Sequence, residues 1–311
     1  YKRQFMICSF IMNNLLRFQG KASFAMVGIT VGGLLNIALD PLFIFTLDMG
    51  TAGAALATGL SQFISFCILL WMCNHQDSCI SISIRKFRPK LAIYREVLYG
   101  GIPSLGRQGI ASVATILMNF MCQPYGDAAI AAMSIVSRFM FFINSVIIGF
   151  GQGFQPVCSY CFGAGLYDRV KKACWFCIRV STIILLVLSV ISFPAARSII
   201  TLFRRNDPTV IEIGTLALRL QLITLPLQGA VIMGNMMPQS IGYGFRATLV
   251  STARQGIFLI PLLTIMTYTI GLLGIQCAQP LADIATFILS LFVIRGIFKE
   301  FPEDASSFAA Q

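Results

Sequence analysis

The sequence predicts an all-α, polytopic transmembrane helical bundle. Of its 311 residues, 57% are hydrophobic and only 11% are charged, against about 25% charged in a soluble protein. Apolar runs of the length that crosses a bilayer as a helix, about 20 residues, recur along the chain. Strict period-two alternation is absent and the runs are too long for barrel strands. Helices, which satisfy their own backbone groups, are therefore the way across.

The elements follow in order. A partial span is expected at 4–16. Full spans are expected at 22–47, 52–73, 93–122, 128–162, 173–200, 209–236, 246–270 and 274–297. Several exceed the minimum length, so they tilt, bend or protrude. Pro103, Pro156, Pro194, Pro226, Pro261 and Pro280 fall inside them. Each removes a backbone donor, so kinks are expected there.

The net charge of +11 would suit nucleic acid, but its distribution argues against that partner. Basic residues alternate between loops. Arg17 and Lys21 occupy the first loop, and the next, around Asp48, has none. Arg85, Lys86, Arg88, Lys90 and Arg95 fill the third, and the loop around Asp127 has none. Arg169, Lys171 and Lys172 fill the fifth, Arg246 lies in the seventh, and Arg295 and Lys299 follow the last span. This is the positive-inside pattern of a multi-pass protein of the plasma (inner) membrane, with a cytoplasmic C-terminus. Lys2, Arg3, Arg197, Arg204 and Arg205 break it. No signal peptide is visible, and the chain opens on Tyr1 with a short, basic-headed span. It is expected to lack its beginning.

One run contains a carboxylate. Residues 22–47 read ASFAMVGITVGGLLNIALDPLFIFTL, with Asp40 roughly 7–8 Å past the middle at 1.5 Å per residue. A charge at membrane depth costs about 2.5–3.5 kcal/mol on insertion scales, so such a residue points to function. Asn36 lies one turn earlier on the same face. Pro41 deprives the Ile37 carbonyl of its helix donor. Oxygen-bearing groups thus converge on one face of an apolar helix, and oxygen ligands suit hard cations and protons.

An internal repeat is also legible. MNNLLRFQGKASFA (12–25) and GNMMPQSIGYGFRA (234–247) pair Asn13 with Asn235, Gly20 with Gly242 and Ala25 with Ala247, each 222 positions apart. Gly53 and Ala57 pair with Gly274 and Ala278 at 221. A two-lobe membrane protein follows. Residues 1–73 form the C-terminal part of a first lobe, 74–92 a polar connector on the cytoplasmic side, 93–297 a second six-helix lobe and 298–311 a cytoplasmic tail. The first helix of the first lobe would begin about 130 residues before Tyr1.

Other constellations carry less. Cys158-x-x-Cys161 and Cys174-x-x-Cys177 have ribbon-like spacing, but they lie in apolar helical sequence, and a structural zinc site usually needs tight turns. They are read as buried thiols with no metal. Arg107, Arg138, Arg219 and Arg254 fall at membrane depth and must face protein, water or headgroups. Asp283 is a partner for one of them. His75, the only histidine, lies in the connector. No nucleophile–base pair, phosphate loop or HExxH motif appears, so no enzyme is expected and no cofactor.

NNLLRFQGKASFAM, GLLNIALDPLFIF and GTAGAALATGLSQ follow one another as in the multidrug and toxic compound extrusion (MATE) family, which the chain resembles, and its MepA-like branch in particular. GGIPSLGRQ, GFGQGFQPVCSYCFGAGLYDRVKKA, MGNMMPQSIGYG and RQGIFLIPLL extend the likeness over nearly the whole chain. The resemblance implies two six-helix lobes around a cleft. It implies an antiporter that exports cationic or amphiphilic drugs in exchange for sodium or protons, as in antibiotic resistance. It implies that this chain lacks the first three family helices and part of the fourth. The family's Asn-x-x-x-Asp pair on its fifth helix is Asn36 and Asp40 here, and its sixth-helix Thr is Thr58. A fourth-helix Asn is met nearest by Asn14 or Asn13, and the first-helix carboxylate is missing.

In the second lobe, Glu96 and Glu212 lie too near helix ends for a cation site, and the family's frequent Tyr-Asn is Tyr160-Cys161. The 26 Phe and 13 Met suit a pliable cleft that binds cations, with Met233, Met236, Met237 and Gln239 as cleft candidates. A monomer is expected. The alternatives are a lipid-linked saccharide flippase of the same superfamily, which would need several cleft arginines, and a membrane-embedded CxxC oxidoreductase.

Overall fold

A computed structural model describes residues 2–75, 91–204 and 207–301, with the side chains of 2, 3, 75, 92, 93 and 96–107 outside that description. The helices are α1 (Lys2–Phe18), α2 (Ala22–Pro41), α3 (Gly50–His75), α4 (Leu91–Cys122), α5 (Asp127–Gly163), α6 (Tyr167–Phe203), α7 (Pro208–Thr224), α8 (Gln228–Ser240), α9 (Gly244–Thr252), α10 (Leu259–Ile270) and α11 (Leu272–Glu300). Among the described residues there is no strand. A π turn, Leu42–Thr46, extends α2. A 3₁₀ turn, Leu225–Leu227, joins α7 to α8, and a π segment, Ala253–Phe258, joins α9 to α10. Among the described residues the helices therefore form nine rods, in the order and near the positions the apolar runs predict. Seven are long and apolar enough to cross a membrane. Large side chains such as Leu34, Ile37, Phe45, Phe141, Phe142 and Phe292 are exposed on them, an apolar surface suited to a bilayer. The protein is a multi-pass membrane protein.

Two rods fall outside those seven. The 17-residue α1 is short of a span, and α4 carries Arg95 and Glu96 in its first turns. One expected loop is helical. Arg169, Lys171 and Lys172 belong to the first turns of α6, which begins at Tyr167. The connection ends at Gly165, whose φ of +73° reverses the chain. Asp168 then sits in the first turn, where a carboxylate favours the helix dipole, with Lys171 at 3.7 Å. Pro226 breaks its rod at the 3₁₀ turn and Pro41 precedes a π turn, whereas Pro156, Pro194 and Pro280 lie inside continuous helices. The connector expected at 74–92 is narrower at both ends, because α3 reaches His75 and α4 starts at Leu91. Cys79, the side chains of His75 and Arg107, and most of the 298–311 tail lie outside the described residues.

The chain divides into two compact units, Tyr1–Lys90 and Leu91–Gln311. In the first, α1–α3 enclose a small core of Met12, Leu16, Ala25, Leu69 and Cys73. Gly28 admits the side chain of Leu69, and the Ser65 hydroxyl donates to the Gly28 carbonyl at 2.8 Å. The second unit has a larger core running from Ala114 to Ile297. There Gly229 faces Ser181 and Gly234 faces Ser290, so α8 lies close against both α6 and α11.

The repeat is present in the backbone hydrogen bonds themselves. Asn13 Nδ2 donates to the Ala25 carbonyl at 2.7 Å, and Asn235 Nδ2 to the Ala247 carbonyl at 2.8 Å. Lys21 N bonds Leu16 O at 3.0 Å as Tyr243 N bonds Pro238 O at 2.9 Å. Gly20 and Gly242 turn the chain with φ of +78° and +88°, and Gly50 and Gly271 with +53° and +69°. A left-handed φ is easy only for glycine, which is why these positions recur. Units 1 and 2 thus contain the same helix–turn–helix–turn–helix segment. The Asn–carbonyl bonds pin its first turn, and removing a donor from a buried carbonyl costs about 1–3 kcal/mol. Asn13→Ala and Asn235→Ala should each lower the thermal unfolding midpoint in detergent, while Asn14→Ala, at an exposed position, should not. Three equal midpoints would remove the asparagine lock from the account.

Candidate functional site

In unit 1, α2 and α3 bring together Asn36, Asp40 and Thr58, all partly buried. Asn36 Nδ2 donates to Asp40 Oδ1 at 3.4 Å and to Thr58 Oγ1 at 3.5 Å. Both bonds are long. Thr58 in turn donates to the Ala54 carbonyl at 2.9 Å. Asp40 lies one residue before Pro41 and the π turn, and π turns inside helices frequently mark functional sites. Among the described residues no cationic side chain pairs with Asp40. A cation arriving there would meet one carboxylate oxygen pair, a hydroxyl and an amide that can turn its own oxygen inward.

Asn14 does not join this group. It is exposed and makes no hydrogen bond to the three among the described residues. Asn13, the other candidate in that register, is 2% exposed and committed to the Ala25 carbonyl. Sequence adjacency could not decide between them, because consecutive residues on a helix point about 100° apart.

Unit 2 holds a second carboxylate, and it is fully engaged. Asp283 on α11 is 1% exposed. Arg254 Nε donates to its Oδ1 at 2.8 Å, Gln228 Nε2 to its Oδ2 at 2.8 Å and Gln279 Nε2 to Oδ1 at 3.3 Å. The expected pairing of Asp283 with a membrane arginine is thus made by Arg254, which the π segment Ala253–Phe258 carries. The repeat puts these clusters on equivalent helix pairs. Thr58 corresponds to Gln279, Asp40 to Leu262 and Arg254 to Gly32. The first cluster is an uncompensated carboxylate and the second an internally neutralised one. Of the two glutamines, Gln279 was legible as a partner, one turn from Asp283 on α11, whereas Gln228 lies on α8 and only packing brings it there.

Two of the four cleft candidates need correction. Met233 and Met237 are 0% exposed and belong to the core of unit 2, with Met233 against Gly151 of α5. The helix is apolar on several faces, so its inward side could not be told from sequence. Met236 is partly exposed, and Gln239 is exposed and accepts from Gln155 Nε2 at 3.5 Å. Cys158, Cys174 and Cys177 are buried reduced thiols and Cys161 is partly buried. Among the described residues no three potential metal ligands converge.

A repeated helical unit in a multi-pass bundle, with ionisable groups held within apolar rods, defines a polytopic helical membrane protein. The MatE family model matches residues 103–273, more than half of the chain, and the protein belongs to that family. It is 27% identical over 97% of its length to the multidrug export protein MepA of Staphylococcus haemolyticus, and 28% identical over 93% to MepA of Staphylococcus aureus (strain bovine RF122 / ET3-1). The chain spans 66% and 64% of those relatives' lengths. A crystal structure of MATE in complex with MaL6 superposes with a TM-score of 0.87 at 25% identity, covering 96% of this chain and 67% of that one. An outward-facing multidrug resistance MATE family transporter of the MOP superfamily gives 0.86 at 26%, covering 94% and 66%. The relatives are transporters and not enzymes.

Breaking a buried ion pair by removing one partner is worse than removing both, because it leaves a charge without compensation, at a cost of about 3–5 kcal/mol. Arg254→Met and Asp283→Asn should each reduce membrane abundance several-fold, and the double variant should recover most of it. Quantitative membrane immunoblotting reads this. A double variant no better than either single one would mean that the pair does more than neutralise itself.

Proposed function

We propose that this protein exports cationic and amphiphilic organic compounds in exchange for sodium ions or protons, and that Asp40 is the group through which the ion couples. The observation that carries this reading is the contrast between the two carboxylates. Asp283 has its cation built in, whereas Asp40 has an amide and a hydroxyl beside it and, among the described residues, no cationic partner. A carboxylate in that setting takes a cation or a proton from outside. Asn36 and Thr58 supply the further oxygens, together with the Ile37 carbonyl, which Pro41 leaves without its helix donor. Membership of the MatE family and likeness to proteins named for multidrug export support the drug side of the exchange. Met236 and Gln239 are the remaining drug-contacting candidates on α8.

Exchange follows if ion and drug favour different conformations, since a ligand shifts an equilibrium only by its differential affinity for the two states. The Pro41 and π-turn segment is the natural place for the helix to change shape. Asp40→Asn should abolish gradient-driven efflux at unchanged membrane abundance, and Asn36→Ala and Thr58→Ala should weaken it less. The measurement is ethidium efflux against imposed sodium and proton gradients, with abundance followed in parallel. Retention of wild-type gradient dependence by Asp40→Asn would overturn the assignment.

We further propose, on the loop charges, that the connector around residues 74–92 and the C-terminus lie in the cytoplasm, and that the protein works in the plasma membrane as a monomer. With Cys79 as the sole reactive thiol, an impermeant maleimide should label it in inverted vesicles and not in intact cells. The opposite pattern would reverse the orientation.

A further inference from the structure

The arginines that break the positive-inside pattern lead to a second site. At the end of unit 2 where α6 finishes, α7 begins and α11 begins, a cavity of about 720 Å³ is lined by Arg197, Glu212, Arg219 and Gln276, with Leu216 and Leu273 among its apolar walls. Arg197 also borders an adjoining cavity of about 370 Å³. Among the described residues Arg197 has no ion pair and no side-chain hydrogen bond. Arg219 rests only on the face of Phe193, 5.5 Å from the ring centroid. Glu212 lines the same cavity yet pairs with neither. Gln276 is 1% exposed. Its Nε2 donates to the Ile213 carbonyl at 3.2 Å, while its buried Oε1 receives no donor.

Depth makes the two guanidiniums notable. The 37 residues of α6 span about 55 Å, against about 40–45 Å for a bilayer with its headgroups. Arg197 lies roughly 9 Å from the Phe203 end of α6 and Arg219 roughly 16 Å from the Pro208 end of α7, at 1.5 Å per residue. The first is therefore at headgroup level and the second just below it, where its guanidinium rests on Phe193. A charge at that depth calls for a counter-ion, and none of the described protein residues supplies one. The exposed side chain of Ile223 lies two turns beyond the cavity-lining Leu216 along α7 and deeper than either guanidinium at 1.5 Å per residue. These two side chains carry an apolar stripe from the cavity toward the membrane interior.

We infer that this cavity binds the headgroup of an anionic glycerophospholipid, with its phosphate between Arg197 and Arg219 and its acyl chains running inward along Leu216 and Ile223. Guanidinium is the group best matched to phosphate oxygens. Glu212 adds an acceptor at the same cavity, which suits a headgroup carrying hydroxyl donors, as phosphoglycerol does. The chain stripe selects a lipid over a soluble phosphate. On the orientation proposed above the lipid belongs to the outer leaflet, but the binding itself does not depend on the export reading.

The test is native mass spectrometry of the full chain in detergent, titrated with phosphatidylglycerol, phosphatidylcholine or free glycerol phosphate. Phosphatidylglycerol should be retained, and phosphatidylcholine, which is net neutral and has no hydrogen-bond donor in its headgroup, should bind at least about tenfold more weakly. Free glycerol phosphate should neither bind nor displace the lipid. Arg197→Gln/Arg219→Gln should lose about tenfold or more in phosphatidylglycerol retention, and Arg197→Lys/Arg219→Lys should keep part of it. Equal retention of the two lipids by the unmodified chain overturns the proposal, even if the glutamine variant fails to fold. So does unchanged retention by a folded glutamine variant. Binding of free glycerol phosphate as tight as that of the lipid would overturn the lipid assignment.

Discussion

A carboxylate carried into an apolar helix bundle must be neutralised by something, and most of what is distinctive here depends on how that is done. Asp283 is neutralised permanently. Three side chains donate to it, one of them an arginine, and it is almost wholly enclosed. Asp40 has only Asn36 as a donor among the described residues, at a long distance. One is a fixed part of the packing, and the other, on the function proposed above, is a place for something mobile. The difference is a matter of partners, since both residues lie on membrane-length apolar rods.

The repeat sharpens that contrast. The two units share their asparagine locks, their left-handed glycines and their turn hydrogen bonds almost residue for residue. What differs is where the helices are interrupted. In unit 1 the π turn follows Pro41, beyond the Asp40 cluster. In unit 2 the π segment begins at Ala253, at the register where unit 1 has tightly packed helix around Gly32. An extra residue in a helical turn re-aims the side chains around it. That is how Arg254 can occupy the position of a glycine and still reach Asp283. The scaffold is duplicated, and the chemistry is set by one proline and one displaced π segment.

Much of this was legible in the chain. The nine rods follow from apolar length, because the bilayer fixes how many residues a span needs. The Asn36–Asp40–Thr58 group was legible as well. Its first two members are one turn apart on a single helix, and the resemblance brought in Thr58. Reading failed where the decision belongs to a face. Met233 and Met237 lie in a segment apolar on several sides, so nothing in the pattern said which side the core would take. Asn13 and Asn14 are chemically identical neighbours, and only packing against α2 chose Asn13 for the structural bond.

By itself, then, the sequence determined the class of protein, the number and order of its rods, the repeat and the carboxylate at membrane depth. Each of these is written in composition, run length or spacing along one helix. Tertiary structure decided which arginine meets Asp283, that no cation meets Asp40 among the described residues, and that Arg197 and Arg219 border one cavity. Those outcomes join residues tens of positions apart on different helices. They depend on the rotation and bend of each rod, which its neighbours fix and its own hydrophobic pattern, nearly uniform around a membrane helix, does not record.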